Sequence, residues 1–160
     1  MSDVRETFLK SLDYAPDGFQ VKAMNSIDAD ASVLVAAPTG SGKTLIAEYA
    51  IARARSLGLR AFYTTPIKAL SNQKYRDLQN LYGAHMVGLV TGDNAVNAEA
   101  PVVVMTTEVL RNMIYSQSNR LEDLGVVILD EVHYLQDAYR GPVWEEVIIH
   151  LSESVSVVAL

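Results

Sequence analysis

The chain has 160 residues, of which 49% are hydrophobic, and its 13 basic and 19 acidic side chains give a net charge of −6. This length suits one domain with a sizeable core, and the absence of cysteine excludes disulfides, thiolate metal sites and thiol catalysis. The acidic balance argues against nucleic-acid binding through a broad basic patch, and no apolar run reaches the roughly 18 residues of a membrane span.

Short apolar strands alternate with helical segments along the chain. Because strands of this kind are buried on both sides, the alternation predicts an α/β fold, in which a parallel sheet has helices on both faces. Ligands of such folds bind at the carboxyl ends of the strands. The predicted strands are 32–36, 60–64, 86–90, 102–106, 126–129 and 155–160, and the predicted helices are 43–57, 67–82, 108–115 and 142–151.

A glycine-rich octet, residues 37–44, connects the first predicted strand to the helix after it. It matches the phosphate-loop pattern except that Ala37 stands at the first glycine. Its glycines let backbone N–H groups face phosphates, Lys43 can reach the β- and γ-phosphates, and the Thr44 hydroxyl can bind Mg²⁺. The alternative is a turn that ends a buried strand beside a chance lysine. The residues predicted to bind ATP here are Pro38, Thr39, Gly40, Ser41, Gly42, Lys43 and Thr44.

Two acidic residues, Asp130 and Glu131, follow the most apolar predicted strand. A carboxylate at this edge of the sheet, beside a phosphate loop, can hold Mg²⁺ directly or through water. The next carboxylate can orient and polarise the attacking water. We therefore assign Asp130 to the metal and Glu131 to the water, with Lys43 as the third catalytic residue. The alternative is a pair of acids on a solvated surface.

Five motifs occur in a fixed order: APTGSGKT at 37–44, TPIKALSNQK at 65–74, TGD at 91–93, TTEVLRNM at 106–113 and DEVH at 130–133. Together they resemble motifs I through II of superfamily 2 helicases. They are most similar to the superkiller-type DExH-box RNA helicases, which assist RNA turnover, and to their bacterial relatives. The resemblance runs from about residue 14 to residue 160, and 133–146 is its most family-specific stretch. It implies a RecA-like phosphate-loop domain of an ATP-dependent helicase.

The resemblance implies roles for residues outside the phosphate loop. Gln20 matches an adenine-reading element, since a glutamine amide can both donate to and accept from an adenine edge. Tyr14 falls where the family often has an aromatic that stacks on the base, whereas Phe19 is interpreted as a core residue. The alternatives are a surface helix residue for Gln20 and core packing for Tyr14. His133 is assigned to interdomain coupling, and its alternative is a helix-start histidine held by local hydrogen bonds.

Three of the motifs resemble contacts to a nucleic-acid strand. Hydroxyls and free amides at strand ends and helix starts can hold a sugar–phosphate backbone without a basic patch. Helix capping by Thr65 and Thr106 is the alternative, and capping is compatible with phosphate contact. The residues assigned to nucleic acid are Thr65, Pro66, Lys68, Thr91, Gly92, Thr106, Thr107 and Arg111.

In this family an SAT-type motif would follow Leu160 directly. We therefore expect residues 1–160 to be the first RecA-like domain, and the second, with its arginine fingers, to be absent from them. Arginines supplied in this way are worth on the order of 10³–10⁵ in the rate of phosphoryl transfer. The isolated chain is expected to bind Mg-ATP weakly and hydrolyse it very slowly. The composition and the polar start predict a cytoplasmic protein without membrane attachment.

The motifs favour RNA over DNA as the substrate, because the string 65–74 and Trp144-Glu145-Glu146 are more similar to the RNA group. A DNA-repair helicase of the same superfamily is one alternative. A nucleotide-gated nucleic-acid-binding module without motor activity is another. An unrelated phosphate-loop enzyme is disfavoured: a transporter ATPase would carry an LSGGQ-like string, and a small-molecule kinase would leave the threonine motifs unexplained.

Overall fold

The computed structural model describes residues 3–37, 42–132 and 141–160, apart from the side chains of Gly141, Pro142 and Trp144. The predictions for Pro38, Thr39, Gly40, Ser41, His133 and Trp144 lie outside this description. The helices are α1 (Asp3–Lys10), α2 (Gly18–Asp28), α3 (Lys43–Ser56), α4 (Lys68–Tyr82), α5 (Thr107–Tyr115) and α6 (Gly141–His150). The strands are β1 (Val33–Leu34), β2 (Arg60–Thr65), β3 (Val87–Val90), β4 (Ala95–Val96), β5 (Val102–Thr106), β6 (Leu124–Leu129) and β7 (Ser156–Ala159).

The described strands form one seven-stranded sheet in the order β1-β7-β6-β2-β5-β3-β4. Every pair is parallel except β3 with β4. The predicted parallel sheet is therefore confirmed, whereas the short antiparallel β4 was not predicted. Gly88 allows it: a Cβ atom at this position would lie 2.1 Å from the carbonyl oxygen of Asn97, in the segment that returns from β4.

Side chains of the central strands alternate between two cores, as the pleat requires. In β2, Ala61 and Tyr63 pack into a core shared with α2, α3 and α4. Phe62 points to the opposite face and joins the core that includes α5 and α6. The prediction of helices on both faces of the sheet is thereby confirmed. No helix in the described part of the chain is long and apolar enough to cross a membrane.

The first strand differs from its prediction. Residues 32–36 were predicted as a buried strand, but β1 has two residues, and Leu34 is 69% exposed. Within the described residues β1 pairs with β7 alone, so its outer edge faces solvent. An apolar run indicates a strand but does not say where in a sheet that strand lies. Helices α1 and α2 were not predicted, although Phe8 and Leu9 of α1 are partly buried against the core.

The amino ends of the strands, opposite the predicted ligand edge, are tied together by Arg60. Its guanidinium donates to the carbonyl oxygens of Ala98 at 2.6 Å, Ala100 at 3.1 Å and Arg120 at 2.9 Å. Burial lowers the pKa of Arg60, opposed by the charge of Glu99. Arg60 thus holds two connections, the one between β4 and β5 and the one between α5 and β6, against the sheet and away from the motifs.

Candidate functional site

A cleft of about 330 Å³ opens at the carboxyl edge of the sheet. Its walls come from the start of α3, the ends of β2 and β6, and the first half of α4. Because parallel strands end at one edge, residues nearly 90 positions apart in sequence meet here. The cleft brings together the predicted phosphate and metal residues Gly42, Lys43, Thr44, Asp130 and Glu131.

Gly42, the N-cap of α3, occupies a position that only glycine suits. Its φ is +90°, in the left-handed region that side chains disfavour. A Cβ atom here would also lie 2.6 Å from Nε2 of Gln20. The second glycine of the phosphate loop is therefore required both by the turn into α3 and by close contact with α2.

Gln20 connects α2 to the phosphate loop. It is 2% exposed, so its interpretation as a surface helix residue is wrong. Its Nε2 donates to the carbonyl oxygen of Gly42 at 2.9 Å, and its Oε1 accepts from the Asp17 N–H at 2.8 Å. Both amide atoms thus have partners within the chain, and adenine reading by Gln20 stays a prediction.

The two aromatics assigned near Gln20 lie in different surroundings. Phe19 is partly buried against the core that includes α2, α3 and α4, which confirms its interpretation as a packing residue. Tyr14 is 57% exposed, so core packing is the wrong interpretation for it. Its predicted stacking on the base of a nucleotide stays a prediction.

Asp130 lies directly after β6 and continues the sheet ladder, because its N–H donates to the Thr64 carbonyl at 3.0 Å. Its carboxylate is held at both oxygens. Oδ1 accepts from the Glu131 N–H at 2.8 Å, and Oδ2 accepts from the Tyr63 hydroxyl. These two hydrogen bonds therefore fix the orientation of the Asp130 carboxylate at the cleft.

Glu131 adopts a left-handed backbone conformation with φ of +59°. This region is uncommon for a residue with a long side chain, and such residues cluster at functional sites. The turn at Glu131 ends the strand and lets consecutive carboxylates line the same cleft. This conformation was not predicted, because nothing in the residues DEVH demands a left-handed backbone.

Tyr63 is a residue of this site that the sequence analysis missed. Burial, reinforced by the negative charge of Asp130, raises the pKa of Tyr63, so its hydroxyl remains a donor at physiological pH. On the side of α4, Nζ of Lys74 lies 5.0 Å from the centre of the Tyr63 ring. The hydroxyl of a tyrosine within a buried strand was the signal that could have marked Tyr63.

The residues present suit Mg²⁺ bound together with a nucleotide. Among the described residues, no group of three or more His, Cys, Asp or Glu side chains could hold a metal by itself. Mg²⁺ usually needs only one or two protein carboxylates, with phosphate oxygens and water completing its coordination. Asp130 and the exposed Thr44, which line one cleft, supply a carboxylate and a hydroxyl of this kind.

A second concavity, a groove of about 540 Å³, lies beside the cleft at the same edge of the sheet. It is formed where β2, β3 and β5 end and where α4 and α5 begin. Five of the eight residues assigned to nucleic acid line it, which is the grouping that the motif resemblance predicted. They are Pro66, Lys68, Thr91, Gly92 and Thr106.

The threonine hydroxyls of this region are engaged inside the protein. Thr65 is 1% exposed, and its hydroxyl bonds to the Ile67 carbonyl at 2.9 Å and the Ser71 hydroxyl at 2.6 Å. Thr107 is 3% exposed and donates to the Thr65 carbonyl at 3.2 Å. These two hydroxyls therefore fix the start of α4 against that of α5, and neither residue lines the groove.

Helix capping was the alternative role for both Thr65 and Thr106, and the structure shows it for one of them. Thr106 is the N-cap of α5 and accepts from the Val109 N–H at 3.4 Å, which confirms the capping role. Thr65 is not the N-cap of α4, because that position is Ile67. For Thr65 the capping alternative is wrong, and the hydroxyl stabilises the first turn of α4 through Ser71.

Among the described residues that line the groove, the charged side chains are Lys68, Asp93 and Glu108, so two carboxylates accompany one cation. Nζ of Lys68 lies 2.8 and 2.7 Å from the two carboxylate oxygens of Asp93, which also accepts from Thr91 at 3.1 Å. The hydrogen bonds from Lys68 and Thr91 hold the pKa of Asp93 below its ordinary value. Arg111 is not among the groove's lining residues. Its guanidinium lies 3.8 Å from the Glu146 carboxylate.

Known proteins are similar to this chain in sequence. The chain is 52% identical to the "Probable helicase HelY" of Mycobacterium leprae over 162 residues, which cover 100% of this chain and 18% of that protein. It is 54% identical over 147 residues to "Superkiller complex protein 2" of Mus musculus, covering 92% and 12%. It is 46% identical over 166 residues to the chloroplastic "DExH-box ATP-dependent RNA helicase DExH15" of Arabidopsis thaliana, covering 100% and 14%. The chain thus spans less than a fifth of the length of each.

A solved structure confirms the RecA-like architecture. The crystal structure of the DUF1998 helicase MrfA bound to DNA and AMPPNP superimposes with a TM-score of 0.76, at 18% sequence identity, over 99% of this chain and 26% of that one. At this identity the likeness concerns the fold alone. The DEAD/DEAH box helicase family matches residues 17–160, which include all five motifs. The chain therefore belongs to the DEAD/DEAH box helicase family.

Proposed function

We propose that this chain is the ATP-binding domain of an ATP-dependent helicase that moves along and unwinds RNA. The observation that carries the proposal is the connection from β2 to α4. Thr65 lines the nucleotide cleft, and the next residues, Pro66 and Ile67, line the groove. A change of backbone position at this connection reaches both concavities at once.

In the cleft, each residue has a role set by its place. Lys43 supplies positive charge to the β- and γ-phosphates at the start of α3, where helix N–H groups also favour anions. Thr44 and Asp130 are the residues that would hold Mg²⁺, which shields phosphate charge during transfer. Glu131 orients and polarises the attacking water. These residues position the reactants, which is the main contribution of enzymes of this class.

In the groove, the described residues offer a helix start and one cation. The first turn of α5 lines the concavity, and this helix of nine residues contributes its N-terminal dipole. Lys68 is the cation, and it exchanges Asp93 for a phosphate when a strand binds. Such contacts hold a sugar–phosphate backbone without reading its bases.

RNA is preferred over DNA in this proposal for two reasons. The motif string 65–74 resembles the RNA-helicase group, and the similar Arabidopsis protein is named an RNA helicase. The structural neighbour with bound DNA supports the fold, and at 18% identity it does not favour DNA here. A DNA-repair helicase is the alternative that the substrate test addresses.

The proposal includes a second RecA-like domain, since the relatives are at least five times longer than this chain. That domain would bring arginines to the γ-phosphate and complete the groove, and His133 would couple the two domains. The isolated 160 residues are accordingly expected to hydrolyse ATP very slowly. We also propose a cytoplasmic location.

The test is steady-state ATP hydrolysis by the full-length protein, with single-stranded RNA or single-stranded DNA added and Lys43→Ala as the blank. Stimulation by RNA alone is the expected result. Equal or greater stimulation by DNA would place the protein among the repair helicases. RNA affinity that changes with nucleotide, without turnover, would indicate a binding module with no motor activity.

A further inference from the structure

Tyr63 is a buried tyrosine in the middle of an apolar sheet, with 2% of its surface exposed. Its partner across to β6 is Ile128, and both side chains belong to the core that includes α3 and α4. Asp130 lies two residues beyond Ile128, on the same face and roughly 6.6 Å farther along the strand direction. A tyrosine is long enough to pack its ring in the core and bring its hydroxyl to that carboxylate.

Packing alone does not require the hydroxyl of Tyr63. A phenylalanine ring would fill the same space in the core, while the hydroxyl adds a hydrogen bond that ends on Oδ2 of Asp130. The other oxygen, Oδ1, is held by the Glu131 N–H at 2.8 Å. With a donor on each oxygen, rotation about the terminal torsion of Asp130 is restricted. Each oxygen keeps a further lone pair that can face a metal.

The ring of Tyr63 is in turn contacted from α4. Nζ of Lys74 lies 5.0 Å from the ring centre, within the range of a cation–π contact, and Lys74 lines the same cleft. Tyr63 therefore contacts α4 through its ring and Asp130, after the end of β6, through its hydroxyl. Because α4 begins at the groove, Tyr63 connects the helix that borders the groove to the predicted metal residue.

We propose that Tyr63 is a positioning residue that holds the Asp130 carboxylate in the orientation that binds Mg²⁺ together with the nucleotide. The inference rests on the proposed function, since it requires the cleft to bind Mg²⁺ with a nucleotide. Residues that orient a metal ligand in this way typically change metal affinity by about 10–100-fold. Tyr63 acts through Asp130 and does not touch the reacting atoms.

The experiment uses Tyr63→Phe in the full-length protein. A fluorescent, non-hydrolysable ATP analogue is titrated at a series of Mg²⁺ concentrations and, separately, in EDTA. The Mg²⁺ concentration for half-maximal binding is expected to rise by roughly 10-fold, while affinity in EDTA stays within about twofold of the wild type. Tyr49→Phe is the matched control, because it also removes a buried tyrosine hydroxyl that donates to an aspartate, Asp28, away from the cleft.

Two outcomes would overturn the inference. Tyr63→Phe could show the same Mg²⁺ dependence as the wild type, or it could lose affinity equally with and without Mg²⁺, as a purely structural role predicts. Failure of the proposed function is recognised differently. In that case the wild type would bind no nucleotide, or Asp130→Asn would leave the Mg²⁺ dependence unchanged.

A second measurement keeps the side chain and so does not depend on the folding of Tyr63→Phe. With 3-fluorotyrosine at position 63, the fluorine resonance is expected to shift when Mg²⁺ and the ATP analogue are added together. The analogue in EDTA should shift it less. A resonance that responds equally in both conditions would show that Tyr63 does not sense the metal site.

Discussion

The nucleotide cleft and the adjacent groove occupy one edge of one sheet, yet they are built differently. In the cleft, functional side chains are individually fixed: Asp130 has a donor on each oxygen, and Glu131 sits in a left-handed turn. In the groove, the hydroxyls of Thr91 and Thr106 are engaged by Asp93 and by the Val109 N–H, and the cation Lys68 is paired with an exposed carboxylate. In the cleft, individual side chains are held in one orientation, whereas in the groove it is the main chain that is held in place.

The difference agrees with the two tasks in the proposed function. Phosphoryl transfer depends steeply on the alignment of water, metal and phosphate, so each carboxylate needs its own support. Binding a repeating sugar–phosphate backbone tolerates small displacements and uses hydroxyls, amides and helix ends. Substitutions of single side chains should therefore be severe in the cleft and mild in the groove.

Glu131→Gln tests the cleft and should have the largest effect. Loss of the group that polarises water is expected to lower kcat by about 10²–10⁴-fold with nucleotide affinity nearly unchanged. RNA-stimulated hydrolysis and equilibrium nucleotide binding would measure both quantities. Glu99→Gln, at an exposed residue paired with Arg120, is the isosteric control. Turnover that survives Glu131→Gln would assign the water to another residue.

Gly88→Ala tests whether the groove depends on main-chain placement. The added Cβ would lie 2.1 Å from the Asn97 carbonyl, so β3 or the segment after β4 must move. We expect a loss of about 1–3 kcal/mol in the free energy of unfolding, measured by denaturant titration, together with weaker RNA binding. Gly18→Ala, where the added Cβ meets nothing within 4 Å, is the control. An unchanged unfolding curve would contradict the close approach.

Lys68→Ala tests the lysine that lines the groove among the described residues. Removing a single phosphate contact should weaken RNA binding several-fold and reduce the slope of log affinity against log salt by about 0.7. Fluorescence anisotropy at several salt concentrations gives both values. Lys10→Ala removes another exposed lysine, which is in an ion pair on α1, and serves as the control. Identical salt slopes for Lys68→Ala and the wild type would remove Lys68 from the interface.

Asp93→Asn should have the smallest effect, with the opposite sign. It releases Lys68 from its ion pair, so RNA affinity should rise a few-fold at low salt and approach the wild-type value as salt screens the charges. The same anisotropy assay measures it. Asp30→Asn removes the same charge from an exposed ion pair with Arg53 and controls for net charge. If both variants gain equally, the effect comes from overall charge.

Much of this architecture could be predicted from the sequence, because its signals are local. Five of the strands predicted from apolar runs lie close to the observed β2, β3, β5, β6 and β7. Gly58, a residue type that commonly follows a helix, comes after the end of α3 in a left-handed conformation. The octet before α3 and the acids after β6 indicated the cleft because strand ends of a parallel sheet meet at one edge. These predictions needed only the order of residues along the chain.

Other features depend on partners that are distant in sequence. Gln20 was predicted to read adenine, with a surface helix residue as the alternative, and it is buried against Gly42, 22 positions away. The inward-facing hydroxyls of Thr65 and Thr107 depend on where the end of β2 lies beside the first turns of α4 and α5. The exposed edge of β1 depends on strand order, which an apolar run does not encode.

The sequence by itself determined the class of fold, the family resemblance and the residues of the phosphate loop and the acidic strand end. Those follow from periodicity and from motifs whose chemistry needs particular residue types at fixed spacing. Only the tertiary structure decided how Asp130 is held, since its donor Tyr63 lies 67 positions away. It also decided that Lys68 faces Asp93. Hydrogen bonds and ion pairs of this kind form only when folding brings separate strand ends together, and no local pattern records them.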